Sequence, residues 1–478
     1  MFRNFSRSVD QRFGTAKFAN SQLKKVFPDH WSFMLGEVTL YCFIVVLVTG
    51  VYLTFFFEPS TREVIYNGSY EPLKGVPMTA AYESAVNLSL EVKGGLVMRQ
   101  MHHWSALLFV AAMVVHMARV FFTGAYRKPR EVNWVFGVVL LILSMFNGLL
   151  GYSLLEDLLS GTGLRVAHSI LLSIPFIGPD MAWLVFGGPF DSPTLIPRFY
   201  VLHVLLLPAA IIALLAVHLF LVWYQKHTQY RGPRRTNNNV VGLRILPTFA
   251  AKAIGLMFLV TGVIAIISGL AQINPIWEFG PFNSTFMAGA VTSAAQPDWY
   301  MSWLDGMLRL IPGWETRIGG YVIPNYFWGG LVFAGVVFIG MGAWPWIENR
   351  YVKDNRIHNI ADKPRDNPTR TAIGAAFFTL MAVIFTATAN DVLATFFHVP
   401  PENITWFLRV ALFVAPVIVF FATRWICRGL QGTDAHPASP GPSHTVMRTP
   451  DGGFEFAHGD HSHDDDQAPH EDPEGTKA

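Results

Sequence analysis

The chain has 478 residues, 52% of them hydrophobic and only 14% charged, with a mean hydropathy of +0.35. A soluble domain carries roughly 25% charge, so this composition excludes one and indicates a polytopic membrane protein. The formal net charge of +2 says little by itself, and no nucleic-acid partner is expected. Two cysteines, Cys42 and Cys427, exclude a disulfide framework.

Crossing the hydrocarbon core takes about 20 apolar residues. Eight windows qualify: Met34–Phe57, Val97–Thr123, Trp134–Leu155, Phe199–Tyr224, Ala250–Gln272, Asn325–Ile347, Thr371–Asn390 and Ile404–Cys427. Pro208 and Pro416 fall inside two of them and are tolerable as kinks in a packed bundle. The fold expected is an all-α integral membrane protein with eight transmembrane helices. Residues 1–33 form an N-terminal segment with no cleavable signal, 34–232 a four-helix unit, 250–428 a second four-helix unit, and 429–478 a tail. The tail is rich in Pro, Gly, Asp, Glu and His and is expected to be disordered. His458, His461 and His463 beside Asp464–Asp466 could bind metal only weakly, and a solvated tail is the plainer reading.

Basic residues cluster before the first span, between the second and third (Arg127, Lys128, Arg130), between the fourth and fifth (Lys226, Arg231, Arg234, Arg235, Arg244) and between the sixth and seventh (Arg350 to Arg370). The alternate loops carry few. By the positive-inside rule the chain is multi-pass in the cell membrane with both termini cytoplasmic. Long loops containing several prolines, after the third and fifth spans, then lie outside and read as functional covers.

Histidine inside a lipid-spanning helix is costly and reads as functional. The second span holds His102 and His116, fourteen residues apart; the fourth holds His203 and His218, fifteen apart. Fourteen helical residues rise about 21 Å and return to within roughly 40° of one face. Both spans run inward, so His102 and His203 share an outer level and His116 and His218 an inner one. Two imidazoles per level are what a bis-histidine haem iron requires. Without a CxxCH motif, the two haems would be b-type and non-covalent. Gly36 and Gly50 in the first span, and Gly137 and Gly151 in the third, repeat the fourteen-residue interval. Ordinary helix packing explains either pair alone, but four spans sharing one period suggest glycine faces against which porphyrins lie. His103 competes with His102, and helix geometry separates them only weakly. Arg99 and Arg119 stand at levels suited to haem propionates, or else snorkel to the interface. His227, with Lys226 at the end of the fourth span, reads by default as a snorkelling basic residue.

With these residues in view the chain resembles the cytochrome b subunit of the quinol–cytochrome c reductase (cytochrome bc) family, over roughly residues 20–430. RQMHHWSA looks like the family's RxxHxWxA stretch, which implies His102 rather than His103 as ligand. HMARVFFTGAYRKPRE, PRFYVLH and the glycine pairs also look like family motifs. PDWY, Pro297–Asp298–Trp299–Tyr300, is similar to the PEWY of the quinol-oxidation site, with Asp298 one methylene shorter than the family's Glu. HWSFMLGE and LAQINPIW look most like actinobacterial members, which use menaquinol. The resemblance implies quinol oxidation outside by Pro297, Asp298, Trp299, Tyr300 and Tyr152. One electron passes to a Rieske iron–sulfur partner. The other passes through the outer and inner haem b to a quinone at the cytoplasmic side, contributing to the proton motive force. It also implies a c-type cytochrome subunit, a terminal oxidase, surrounding lipid and a dimeric complex. Related chains often have Pro-Trp after GYxL, where this one has Glu156 and Asp157, so these could add outer carboxylates or form only a rim. Candidates for the inner quinone site are His30, Trp31, Ser32 and His227. The alternatives are a cytochrome b anchor of a dehydrogenase or hydrogenase, which leaves PDWY unexplained, and a transporter relaying protons through histidines.

Overall fold

In a computed structural model, the structure describes residues 25–190, 192–282 and 296–431, residues 10 and 12, and the backbone of 446–448 and 454–456. The histidines and aspartates singled out in the tail lie outside the described residues.

In chain order the helices that matter are α1 Trp31–Thr54, the short α2 Ala80–Leu90, α3 Gly95–Phe122, α4 Glu131–Ser153, α5 Leu158–Leu172, α6 Gly178–Phe186, α7 Leu195–Gln225 and α8 Ile245–Leu270. They continue with α9 Trp299–Leu310, α10 Phe327–Val352, α11 Pro368–Thr388, α12 Asn390–Phe397 and α13 Pro401–Leu430. Among the described residues eight of these are long and apolar enough to cross a membrane: α1, α3, α4, α7, α8, α10, α11 and α13. Each overlaps one expected window and differs from it by a few residues at the ends. The chain is an integral membrane protein.

In the first half α1 packs along α3, α3 against α4, and α4 against α7. Two cavities fill the space these four helices enclose. α8 leans on α1 and α3, while α11 lies along α13 and carries α9. A shared core, including Phe43, Phe109, Val138, Ile211, Trp303 and Ile384, joins the halves. Most apolar side chains on α7, α8 and α13 are exposed, as helices facing lipid require.

Non-membrane segments brace the ends. Asp157 begins α5 as its N-cap, accepting the Ser160 backbone N–H at 2.8 Å. Arg130 donates to the carbonyls of Gln225, Lys226 and His358 and to Asn359 Oδ1, so one guanidinium satisfies the open C-terminus of α7 and ties it to the α10–α11 loop. Arg370 binds Glu348 and Asp362, and Tyr126 donates to Glu348 at 2.7 Å. Paired this way, buried charges are tolerable inside a bundle.

Candidate functional site

Following the loop charges, the cavity at the His102 end is termed outer and that at the His116 end inner. The outer one, of about 220 Å³, is lined by His102 and His203, by Gly50 and Gly151, and by Arg99, Tyr152, Asp298 and Tyr300. The inner one, of about 410 Å³, is lined by His116 and His218, Gly36 and Gly137, Arg119, and by His30, Glu37, His227 and Lys252.

The His102 and His203 rings face each other with centroids 6.2 Å apart and planes at 80°. Imidazole–metal bonds of about 2 Å on either side of one ion set a separation of this size. His102 Nδ1 lies 3.1 Å from the Val46 carbonyl and His203 Nδ1 2.9 Å from that of Asn147. Each carbonyl accepts a hydrogen bond from Nδ1–H, which leaves the lone pair free on Nε2, the arrangement that orients a metal-binding histidine.

The fifteen-residue interval in α7 has a local cause. Pro208 has no backbone N–H to give, and the turn before it, Leu202–Leu206, is π-helical. A π turn takes up one extra residue. The interval of fifteen therefore covers nearly the rotation that fourteen cover in α3.

A Cβ on Gly36 would lie 3.1 Å from the His116 ring, and one on Gly50 3.0 Å from the His102 ring. At Gly151 it would overlap the His203 ring. These three glycines let neighbouring helices close on the imidazoles. Gly137 differs in what it meets: nothing lies within 4 Å of its added Cβ, and it lines the inner cavity.

Arg99 does not snorkel. It is buried, bonded to Ser89 and the Asn274 carbonyl, with one terminal nitrogen lacking a partner among the described residues. Arg119 lies over the Phe33 ring with its buried Nε likewise unpartnered. A buried donor without an acceptor costs free energy, so each cavity offers an unmet cationic donor to an anionic group. Paired imidazoles, glycine faces and a spare guanidinium fit a non-covalent haem in each cavity.

At the outer cavity Asp298 and Tyr300 stand at the start of α9. Tyr300 donates to Asp298 Oδ2 at 3.1 Å, and His103 Nε2 lies 3.1 and 3.0 Å from the two carboxylate oxygens. Burial and the Asp298 charge push the Tyr300 phenol well above its ordinary range, so it is a donor at neutral pH. His103 therefore turns away from the imidazole pair, as the 100° step between successive helical residues dictates. Two expected members do not line this cavity. Pro297 precedes the helix and its carbonyl receives Ser302, while Trp299 packs toward Phe385 in α11.

Glu156 and Asp157 do not line the cavity either. Asp157 is spent as a cap. Glu156 adopts a positive φ of 49°, and burial pushes its carboxyl up to about 7, with one oxygen lacking a partner among the described residues.

At the inner cavity His227 is an internal residue rather than a snorkelling one. Its ring meets Phe33 at 4.6 Å, and burial, then Arg119, push it down to about 3. His30 bonds Ser32, which reaches Tyr230 at 3.2 Å. Trp31 is 72% exposed and does not line this cavity. The candidates named from the sequence for this site do not include Lys252 of α8, which lines the cavity and pairs with Asp29. The sequence reading also missed the His103–Asp298 contact, whose only trace was the doubled histidine of RQMHHW.

Fold and site together define a class: a helical integral membrane protein with two stacked, paired-imidazole cavities. The family described as "Cytochrome b(N-terminal)/b6/petB" matches residues 107–281. The cytochrome bc1 complex cytochrome b subunit of Streptomyces coelicolor is 49% identical over 451 residues, covering 94% of this chain and 82% of that protein. The subunits of the same name from Corynebacterium diphtheriae and Mycobacterium tuberculosis are each 48% identical over 452 residues, covering 94% of this chain and 83% and 81% of theirs. A solved structure described as "Hyperthermophilic respiratory Complex III" shares the fold at a TM-score of 0.63 and 19% identity, covering 88% of this chain and 99% of that one. The chain belongs to the cytochrome b subunit family of the cytochrome bc1 complex.

Proposed function

We propose that this subunit oxidises quinol, of the menaquinol type, at the outer cavity and reduces quinone at the inner one. It does so within a quinol–cytochrome c reductase of the cell membrane, with both termini cytoplasmic. The observation that carries the reading is the tandem of two cavities, each lined by an imidazole pair, with the hydrogen-bonded Asp298 and Tyr300 of the PDWY run at the outer one. His102 and His203 would hold one haem b and His116 and His218 the other, with Arg99 and Arg119 meeting their propionates. When bound, the haems supply one-electron redox chemistry across the membrane. Asp298 is placed to accept a quinol hydroxyl proton, and Tyr300 holds that carboxylate by its hydrogen bond. Tyr152 lines the same wall. As a subunit of a cytochrome bc1 complex, it would pass the other electron to an iron–sulfur (Rieske) partner and a c-type cytochrome, with a terminal oxidase downstream. At the inner cavity neutral His30 and His227, with Lys252, are hydrogen-bonding groups suited to a quinone carbonyl.

The test is the reduced-minus-oxidised spectrum and haem content of the purified complex with and without His102→Leu. Two b-type haems per chain, one lost in the variant, are expected. Retention of both in His102→Leu, or none in the parent, overturns the assignment.

A further inference from the structure

Resting on that reading of the outer cavity, we propose that His103 is a positioning residue for quinol oxidation, clamping Asp298 in its working orientation. The imidazole comes from α3 and the carboxylate from the start of α9, 195 residues later in the chain. Nε2 is within 3.1 Å of both carboxylate oxygens, and the two side chains are only 12% and 9% exposed. Tyr300 supplies the second donor, to Oδ2 alone. Asp298 has only its Cα–Cβ and Cβ–Cγ torsions to orient it. A single donor on one oxygen leaves the second free to swing, whereas a donor shared between both fixes the plane of the group. The role needs only a neutral imidazole with its proton on Nε2.

The placement has a second effect. His102 and His103 are adjacent on one helix, so the imidazole of the outer pair and the clamp on the carboxylate share a rigid backbone. The distance from Asp298 to the outer pair is thereby set within α3 rather than by the packing of loops. A carboxylate one methylene shorter than glutamate reaches less far and depends more on such a clamp.

The experiment compares His103→Leu, His103→Gln, Asp298→Asn and the double variant His103→Leu/Asp298→Asn in the intact complex, with kcat, KM and haem spectra measured for each. His103→Leu is expected to keep both haems, to keep KM for quinol within about twofold, and to lose about tenfold or more in kcat, the scale of a hydrogen bond to a charged group. Gln, which still presents an N–H at similar reach, restores most of the loss. The double variant is no slower than Asp298→Asn alone, because both act through one carboxylate. Unchanged kcat in His103→Leu, Gln no better than Leu, or multiplied losses in the double variant each overturn the clamp while leaving the outer-site reading standing, provided that Asp298→Asn is slow. Haem loss in His103→Leu also overturns it and makes His103 a ligand. Full turnover in Asp298→Asn overturns the outer-site reading and the clamp with it.

Discussion

The outer and inner cavities share a plan and differ in finish. At the outer level both imidazoles are steered by backbone carbonyls, and both glycines lie against the rings. At the inner level His116 Nδ1 has no partner among the described residues, and only Gly36 touches a ring. The outer cavity ends in Asp298 and Tyr300; the inner has a carboxylate and phenol of its own, Glu37 and Tyr41, and adds Arg119, the Lys252–Asp29 pair, His30 and His227. The outer end holds one carboxylate between two side-chain partners, and the inner is a roomier pocket lined by charges of both signs.

The sharpest way to break this comparison is at the ligands. His102→Leu should remove one haem completely and leave the inner one in place, whereas His218→Leu should do the reverse; loss of both in either variant would mean that the levels are not independent. Next in size, Asp298→Asn should slow quinol oxidation by about 10²-fold, the lower range for a positioned general base, while both haems stay reducible from the inner side. Stopped-flow reduction of the two haems separates those outcomes.

A third test concerns pH at the outer end. The Glu156 carboxyl rises from an ordinary value of 4.5 to about 7 on burial, so the folded chain holds a proton there that the unfolded chain releases. Its contribution to stability is fully present below pH 4.5 and is lost as pH rises to about 7, a loss of about 3 kcal/mol. Glu156→Gln should therefore leave Tm unchanged near pH 4.5 and raise it near pH 8. Equal shifts at both pH values would refute the burial account.

The smallest effects belong to the glycines. Gly151→Ala drives a methyl into the His203 ring and should cost about 1–3 kcal/mol, as overpacking does. Gly137→Ala meets no side chain and should cost nothing in a thermal melt of the apoprotein. Equal costs would erase the difference in finish between the levels.

Much of this was legible in the sequence because membrane burial writes itself as long apolar runs, and helix periodicity turns a fourteen-residue interval into a shared face. The eight spans and the facing of His102 and His203 follow from those two facts. What stayed hidden depends on which helix stands opposite. Lys252 joins the inner cavity through the packing of α8, which no local pattern announces. The His103–Asp298 pair joins residues too distant in the chain for spacing to connect them. Pro297 and Trp299 belong to the PDWY run, but Pro297 lies before the helix, and Trp299 points 100° away from Tyr300 on its first turn.

The π-helical turn ahead of Pro208 makes the chain tolerant of a length change where none would be expected. An extra residue in a straight helix rotates everything beyond it by 100° and would swing His218 off its partner. Here the surplus is stored in one loosened turn, Leu202–Leu206, and goes no further. The histidine interval in α7 is thus not a fixed ruler. A chain shortened by one residue at that turn, with Pro208 replaced by alanine, could relax to plain α-helix and still present both imidazoles to α3.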